Sequence, residues 1–172
     1  LDRLSDTFLA AFRSTRRLRY EAFAYEPLRE ACRLTFGVAT VPEPDFAAAR
    51  YILSFGADFL ETWLSPTEFA RGFAESHGYR DGRMARFVAV EPRRGLTGFS
   101  ADEWVAPKPG TEGMLALGIA YAVMRQGKSR VAGVDADRLR AILARFDAQS
   151  VAGATGVEAA VIERLAAEFA EA

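Results

Sequence analysis

Tyr51-Ile52-Leu53-Ser54-Phe55-Gly56-Ala57-Asp58 and Phe87-Val88-Ala89-Val90-Glu91-Pro92-Arg93-Arg94 decide how this chain is read. In each stretch a short apolar run breaks into polar turn residues. A strand buried on both faces of a parallel sheet has that continuous apolar pattern, and open α/β sheets bind ligands beyond its carboxyl end. Gly56 after the first run lets backbone approach a phosphate, and Glu91 after the second offers acceptors to ribose hydroxyls. Together they predict half of a nucleotide-binding sheet. However, Gly56 starts no Gly-x-Gly-x-x-Gly pattern, and 35 positions separate it from Glu91. A simple dinucleotide fold has about 20 between its last glycine and its acid.

Working outward, helical and extended patterns alternate. Leu1 to Arg13 reads as an amphipathic helix, with Leu1, Leu4, Phe8 and Phe12 on one face, and Leu18 to Phe23 as a short strand. Pro27 suits the first turn of a helix running to Phe36, with Gly37 as its C-cap. Val41 to Asp45 is a proline-containing loop, and Asp45 caps a short turn before the strand at Tyr51. Ser65 and Pro66 open a helix to Glu75, and His77 to Gly82 is a polar turn. Glu103 to Ala106 is a third strand. Thr111 caps a helix whose Leu115, Ile119, Ala122 and Val123 form an apolar stripe to about Met124. Further helices cover Asp135 to Phe146 and Val157 to Ala170. This alternation predicts an α/β fold, a Rossmann-like three-layer domain with a mostly parallel sheet flanked by helices. Residues 1–172 are read as one such domain.

Composition narrows the function. Half of the 172 residues are hydrophobic and the net charge is −1, so electrostatics gives no reason to expect nucleic acid or an anionic membrane as partner. No apolar run is long enough for direct membrane insertion. Cys32 is the single cysteine, which excludes an internal disulfide, or an iron–sulfur cluster built from this chain alone. It lies in a helical pattern and reads as a buried structural thiol. The chain opens at Leu1, inside a helical pattern, and reads as a segment excised from a longer protein.

Several residues carry two readings. His77, the sole histidine, is a surface residue or a catalytic one, and no acid–serine or acid–cysteine set accompanies it. Asp58 and Glu61 form an acid pair or cap the segment beyond them. Arg93 and Arg94 meet phosphate or a guanine edge, or form a solvated loop. Trp63 and Trp104 belong to a core or subunit contact, or stack on a cofactor. Phe59, Leu60, Trp63 and Leu64 read as exposed apolar residues facing another domain or subunit.

The order of motifs resembles the molybdopterin oxidoreductase (dimethyl sulfoxide reductase) superfamily. Gly56-Ala57-Asp58, Glu91-Pro92-Arg93-Arg94, Thr97, Ala101-Asp102-Glu103-Trp104 and Lys108-Pro109-Gly110-Thr111-Glu112 follow one another as that family's Gly-x-Asn-Pro, Asp-Pro-Arg, Ala-Asp-x-Trp and Arg-Pro-Gly-Thr-Asp do. The tail, Val151 to Val157 before Ile162-Glu163-Arg164-Leu165-Ala166, is similar as well, so the likeness covers about residues 45 to 172. It implies the second domain of a large subunit, holding one molybdopterin guanine dinucleotide. Gly56, Ala57 and Asp58 would lie at the pyrophosphate turn, and Glu91 would take the ribose hydroxyls. Pro92 and Arg93 would line the pocket. Pro109, Gly110, Thr111 and Glu112 would form the guanine loop, with Glu112 accepting from the ring N–H and amino groups.

The likeness further implies an oxidoreductase moving two electrons to iron–sulfur partners, with its clusters outside this segment and no metal ligand or general base within it. Its partners would be the other domains of the same large subunit, and iron–sulfur and membrane subunits of a bacterial respiratory complex on the periplasmic or cytoplasmic face. One departure matters. Asp58-Phe59-Leu60-Glu61-Thr62-Trp63 replaces the usual Asn-Pro, and most resembles a quinone-linked subgroup in which some members keep the fold without a molybdenum cofactor. Two function classes therefore follow: a cofactor-binding domain, or a cofactor-free scaffold.

Overall fold

The computed structural model describes residues 2–18, 20, 22, 25–80, 82–127 and 136–172. The chain divides into two compact units, Leu1–Pro44 and Asp45–Ala172. The first contains helices α1 (Asp2–Ala11) and α2 (Glu26–Phe36). Arg17 binds Asp2 at 2.5 Å and Asp6 at 2.8 Å, returning the chain onto α1. Gly37 ends α2 in the left-handed conformation, and its N–H donates to the Arg33 carbonyl. Cys32 is buried. The strand expected over Leu18 to Phe23 includes residues 19, 21 and 23, which lie outside the described residues.

The second unit is an α/β layer. Strands β1 (Tyr51–Phe55), β2 (Arg86–Val90) and β3 (Glu103–Val105) form a parallel sheet in the order β1-β2-β3. Helix α3 (Pro66–His77) connects β1 to β2, and the four-residue helix α4 (Leu96–Phe99) lies between β2 and β3. Next come α5 (Glu112–Arg125), α6 (Ala136–Leu143) with a 3-10 turn at Ala144–Phe146, α7 (Ala148–Thr155) and α8 (Ala159–Glu171). The helix expected over residues 135–146 ends in that tight turn because Asp147 starts a new one, its carboxylate accepting from the Gln149 and Ser150 N–H groups. Helix α7 itself is not anticipated from its small residues. Nor is α4, which lies in a Gly- and Arg-rich stretch.

The central strand is buried on both faces, which explains its unbroken apolar run. Val88 and Val90 pack with Val105, Leu115, Ile119, Val151, Ile162 and Leu165 against α5, α7 and α8. Phe87 and Ala89 point the other way, into Ile52, Phe59, Phe69 and Phe73. Phe59 is buried, and Leu60, Trp63 and Leu64 pack against this second cluster. The expectation that these four face outward is corrected: the segment after β1 folds back to complete the core beside α3. Each fully buried side chain such as Phe87 or Leu165 contributes about 1.5–3 kcal/mol relative to exposure.

The amino ends of the strands are tied to α8 by a closed ring of ion pairs. Arg86 binds Glu103 at 2.7 Å and Glu168 at 3.1 Å. Arg164 binds the same two acids at 2.5 and 2.6 Å. Tyr51 donates its hydroxyl to Glu168 at 2.9 Å. Burial and that bond to Glu168 push the Tyr51 phenol above its ordinary value. Burial pushes the Glu168 carboxyl up, but the bonds from Arg164, Tyr51 and Arg86 outweigh it and leave the group below its ordinary value.

Candidate functional site

The strand register levels the three carboxyl ends. Phe55 is paired with Val90, and Val90 with Val105. The Gly56 N–H donates to the Val90 carbonyl at 3.0 Å, and the Glu91 N–H to the Val105 carbonyl at 3.1 Å. The turns after the three strands therefore begin side by side. Gly56 has φ +65°, a conformation that excludes most side chains, and space is open where a Cβ would stand. Gly110 has φ +80° and is equally open.

Asp58 organises the turn after β1. Its carbonyl accepts from the N–H groups of Glu61, Thr62 and Trp63. One carboxylate oxygen accepts from the Thr62 hydroxyl at 2.9 Å, the other from the Thr97 hydroxyl at 2.6 Å. Thr97 is 1% exposed and also accepts from the Leu60 N–H at 3.2 Å. Of the two readings of Asp58, these bonds support the capping one. Asp58 caps its own turn and joins it to α4.

Glu91 organises the turn after β2. It is 8% exposed, and Oε1 accepts from the Gly95 N–H at 3.1 Å, ahead of α4. Its carbonyl accepts from the Trp104 indole at 2.9 Å. Gly98 makes room for the carboxylate, since a Cβ there would sit 2.1 Å from Oε1. Pro92 and Arg93 are exposed. Arg94 is held in place, donating to the Gly98 carbonyl at 3.2 Å, with its guanidinium 4.8 Å from the Phe99 ring centre and 5.8 Å from that of Trp104. Trp104 stays 38% exposed.

The loop from β3 to α5 is anchored elsewhere. Lys108 donates its N–H to the Thr155 carbonyl at 2.8 Å, and the Thr111 hydroxyl donates to the Lys108 carbonyl at 2.6 Å. Thr111 stands at the N-cap of α5 but makes no side-chain cap bond, as is true of Ser65 at α3. Glu112 accepts from the Gly110 N–H at 3.3 Å. His77 is half-buried at the end of α3, stacked on Phe73. Its Nδ1 lies 2.7 Å from the Ala85 carbonyl and its Nε2 3.8 Å from Asp102, so it holds the approach to β2. His77 is thus a partly exposed residue whose ring makes structural contacts.

Gly56, Ala57, Asp58, Glu91, Pro92 and Arg93 are thus brought to one edge by the sheet. Pro109, Gly110, Thr111 and Glu112 reach the start of α5 through a loop bonded to the α7–α8 junction. Thr97 stands in the motif order, but its bond to Asp58 and the approach of Gly98 to Glu91 come from packing, which residue spacing does not reveal.

No protein-family model matches the chain. Over 128 residues it is 34% identical to the menaquinone reductase, molybdopterin-binding-like subunit, of Nitratidesulfovibrio vulgaris, spanning 74% of this chain and 18% of that protein. Over 83 residues it is 30% identical to the arsenate respiratory reductase molybdopterin-containing subunit ArrA of a Shewanella species, spanning 48% of this chain and 9% of that protein. The chain thus spans less than a fifth of the length of these relatives. Acetylene hydratase from Pelobacter acetylenicus superposes with a TM-score of 0.55 at 21% identity, over 70% of this chain and 16% of that one, and shares the fold. On these likenesses the chain belongs to the molybdopterin oxidoreductase superfamily, matching part of the length of its large subunits.

Proposed function

We propose that the carboxyl edge of this sheet holds one guanine dinucleotide arm of a molybdenum cofactor, in the large subunit of a molybdopterin-dependent oxidoreductase. The observation that carries this is the level register of Phe55, Val90 and Val105, from which the Gly56 turn and Glu91 leave side by side. Gly56, Ala57 and Asp58 form the pyrophosphate turn. Glu91 accepts from the ribose hydroxyls, beside Pro92 and Arg93. Pro109, Gly110, Thr111 and Glu112 form the guanine loop, where Glu112 meets adjacent ring donors.

The residues fit the nucleoside end. Carboxylates suit hydroxyl and N–H donors, each oxygen keeps acceptor capacity beyond one bond, and both positive-φ glycines front open space. When bound, the pterin and metal supply two-electron redox chemistry. This chain binds and orients the dinucleotide. Its partners are the remaining domains of the same large subunit and the iron–sulfur and membrane subunits of a bacterial respiratory complex, on the periplasmic or cytoplasmic face.

A second reading, a cofactor-free scaffold, is favoured by a specific observation: Asp58, Glu91 and Glu112 each already accept a hydrogen bond from the chain. Metal and pterin analysis of the intact native protein separates the two. Stoichiometric guanine dinucleotide and metal support the first, and absence of both supports the scaffold. In protein freed of cofactor, GDP binding weakened by Glu91→Ala and Glu112→Ala supports the assigned roles; unchanged binding refutes them.

A further inference from the structure

We infer that Thr97 and Asp58 are positioning residues that set the turn after β1 against the turn after β2, so that a phosphate contact and a ribose contact fall at a fixed separation. This rests on the nucleotide reading above. The relay is continuous. The Leu60 N–H donates to Thr97 Oγ1 at 3.2 Å, Thr97 donates to Asp58 Oδ1 at 2.6 Å, and Thr62 donates to Asp58 Oδ2 at 2.9 Å. The 2.6 Å bond lies at the short end of the range for a hydroxyl donor. Thr97 lies on α4, whose approach is held by Glu91 through Gly95 and whose Gly98 faces the Glu91 carboxylate. One short helix therefore connects the acid offered to ribose with the turn offered to pyrophosphate.

The relay also fixes the direction of an acid beside a phosphate turn. Its charge still repels pyrophosphate, so its oxygens have to be turned toward other partners. Both of its oxygens are committed to hydroxyls, and a charged acceptor holds those hydroxyls more strongly than an asparagine would.

The test compares Thr97→Val and Thr97→Ser in the intact protein prepared without cofactor, with GDP and guanosine as probes. Thr97→Val is expected to weaken GDP about tenfold, the scale of one hydrogen bond to a charged group, while guanosine changes little. Thr97→Ser restores GDP binding. In the same variants, amide exchange at Leu60 is expected to rise about tenfold or more in Val and not in Ser. Equal losses for GDP and guanosine, or an unchanged Leu60 amide in Thr97→Val, overturn the inference. Failure of the wild type to bind either probe overturns the nucleotide reading instead, and the inter-turn clamp is then decided by the Leu60 amide alone.

Discussion

Replacing Gly98 by alanine should displace Glu91, and the cost should vanish when Glu91 is removed first. A Cβ at position 98 would lie 2.1 Å from Glu91 Oε1, 3.1 Å from its Cδ and 3.2 Å from Arg94 Cγ. The carboxylate can swing aside, but then the Gly95 N–H loses its acceptor. A hydrogen bond to a charged group contributes about 1.5–3 kcal/mol. Alanine for glycine inside a helix returns about 1 kcal/mol. Gly98→Ala alone should therefore destabilise by about 0.5–2 kcal/mol. In a Glu91→Ala background the contact with the carboxylate is gone and only the 3.2 Å approach to the flexible Arg94 side chain is left, so the same substitution should be neutral or stabilise by up to about 1 kcal/mol. The coupling between the two sites should be about 1.5–3 kcal/mol. Urea unfolding of the four chains, followed by tryptophan fluorescence and extrapolated with a common slope, measures it. Additivity within about 0.5 kcal/mol would refute the steric account.

Three other perturbations follow from the packing and the ion-pair ring. Phe87→Ala removes a fully buried ring that meets Phe59 and Phe73; calorimetry should show a loss of about 3–5 kcal/mol. Gly118→Leu forces a side chain into Val151, whose Cγ2 lies 3.0 Å from a Cβ placed at 118; chemical denaturation should show a loss of about 2–3 kcal/mol as α5 and α7 separate. Glu168 has its pKa depressed in the folded chain, so its contribution is present above its ordinary value of 4.5 and fades as pH falls through the lower folded value. Glu168→Gln should cost about 1–2 kcal/mol at neutral pH, and melting temperatures from pH 7 to 3 should show a shallower acid decline than wild type.

Strands β1 and β2, and helices such as α3, α5 and α8, were legible because burial and periodicity are local properties. A strand covered on both faces has to be apolar throughout, and Phe87 to Val90 is. Helix α7 is not legible because Ala148, Ala152, Gly153 and Ala154 carry little periodic signal, even though Asp147 caps it. Phe59, Leu60, Trp63 and Leu64 read as outward-facing in the sequence, and the fold turns them inward. Apolar residues after a strand look exposed unless one knows that the turn held by Asp58 folds them against α3.

Residue type and spacing along one segment give the α/β class and the parallel strands, and the order of motifs from Gly56 to Glu112 carries the resemblance to the family. How the acids are used follows from packing. Asp58 meets Thr97 across 39 positions, and Arg86 meets Glu168 across 82. A carboxylate's partners are set by register and helix docking, which bring distant segments together. Glu91 reads as a ribose acceptor in the sequence. In the fold it also organises the turn in which it stands.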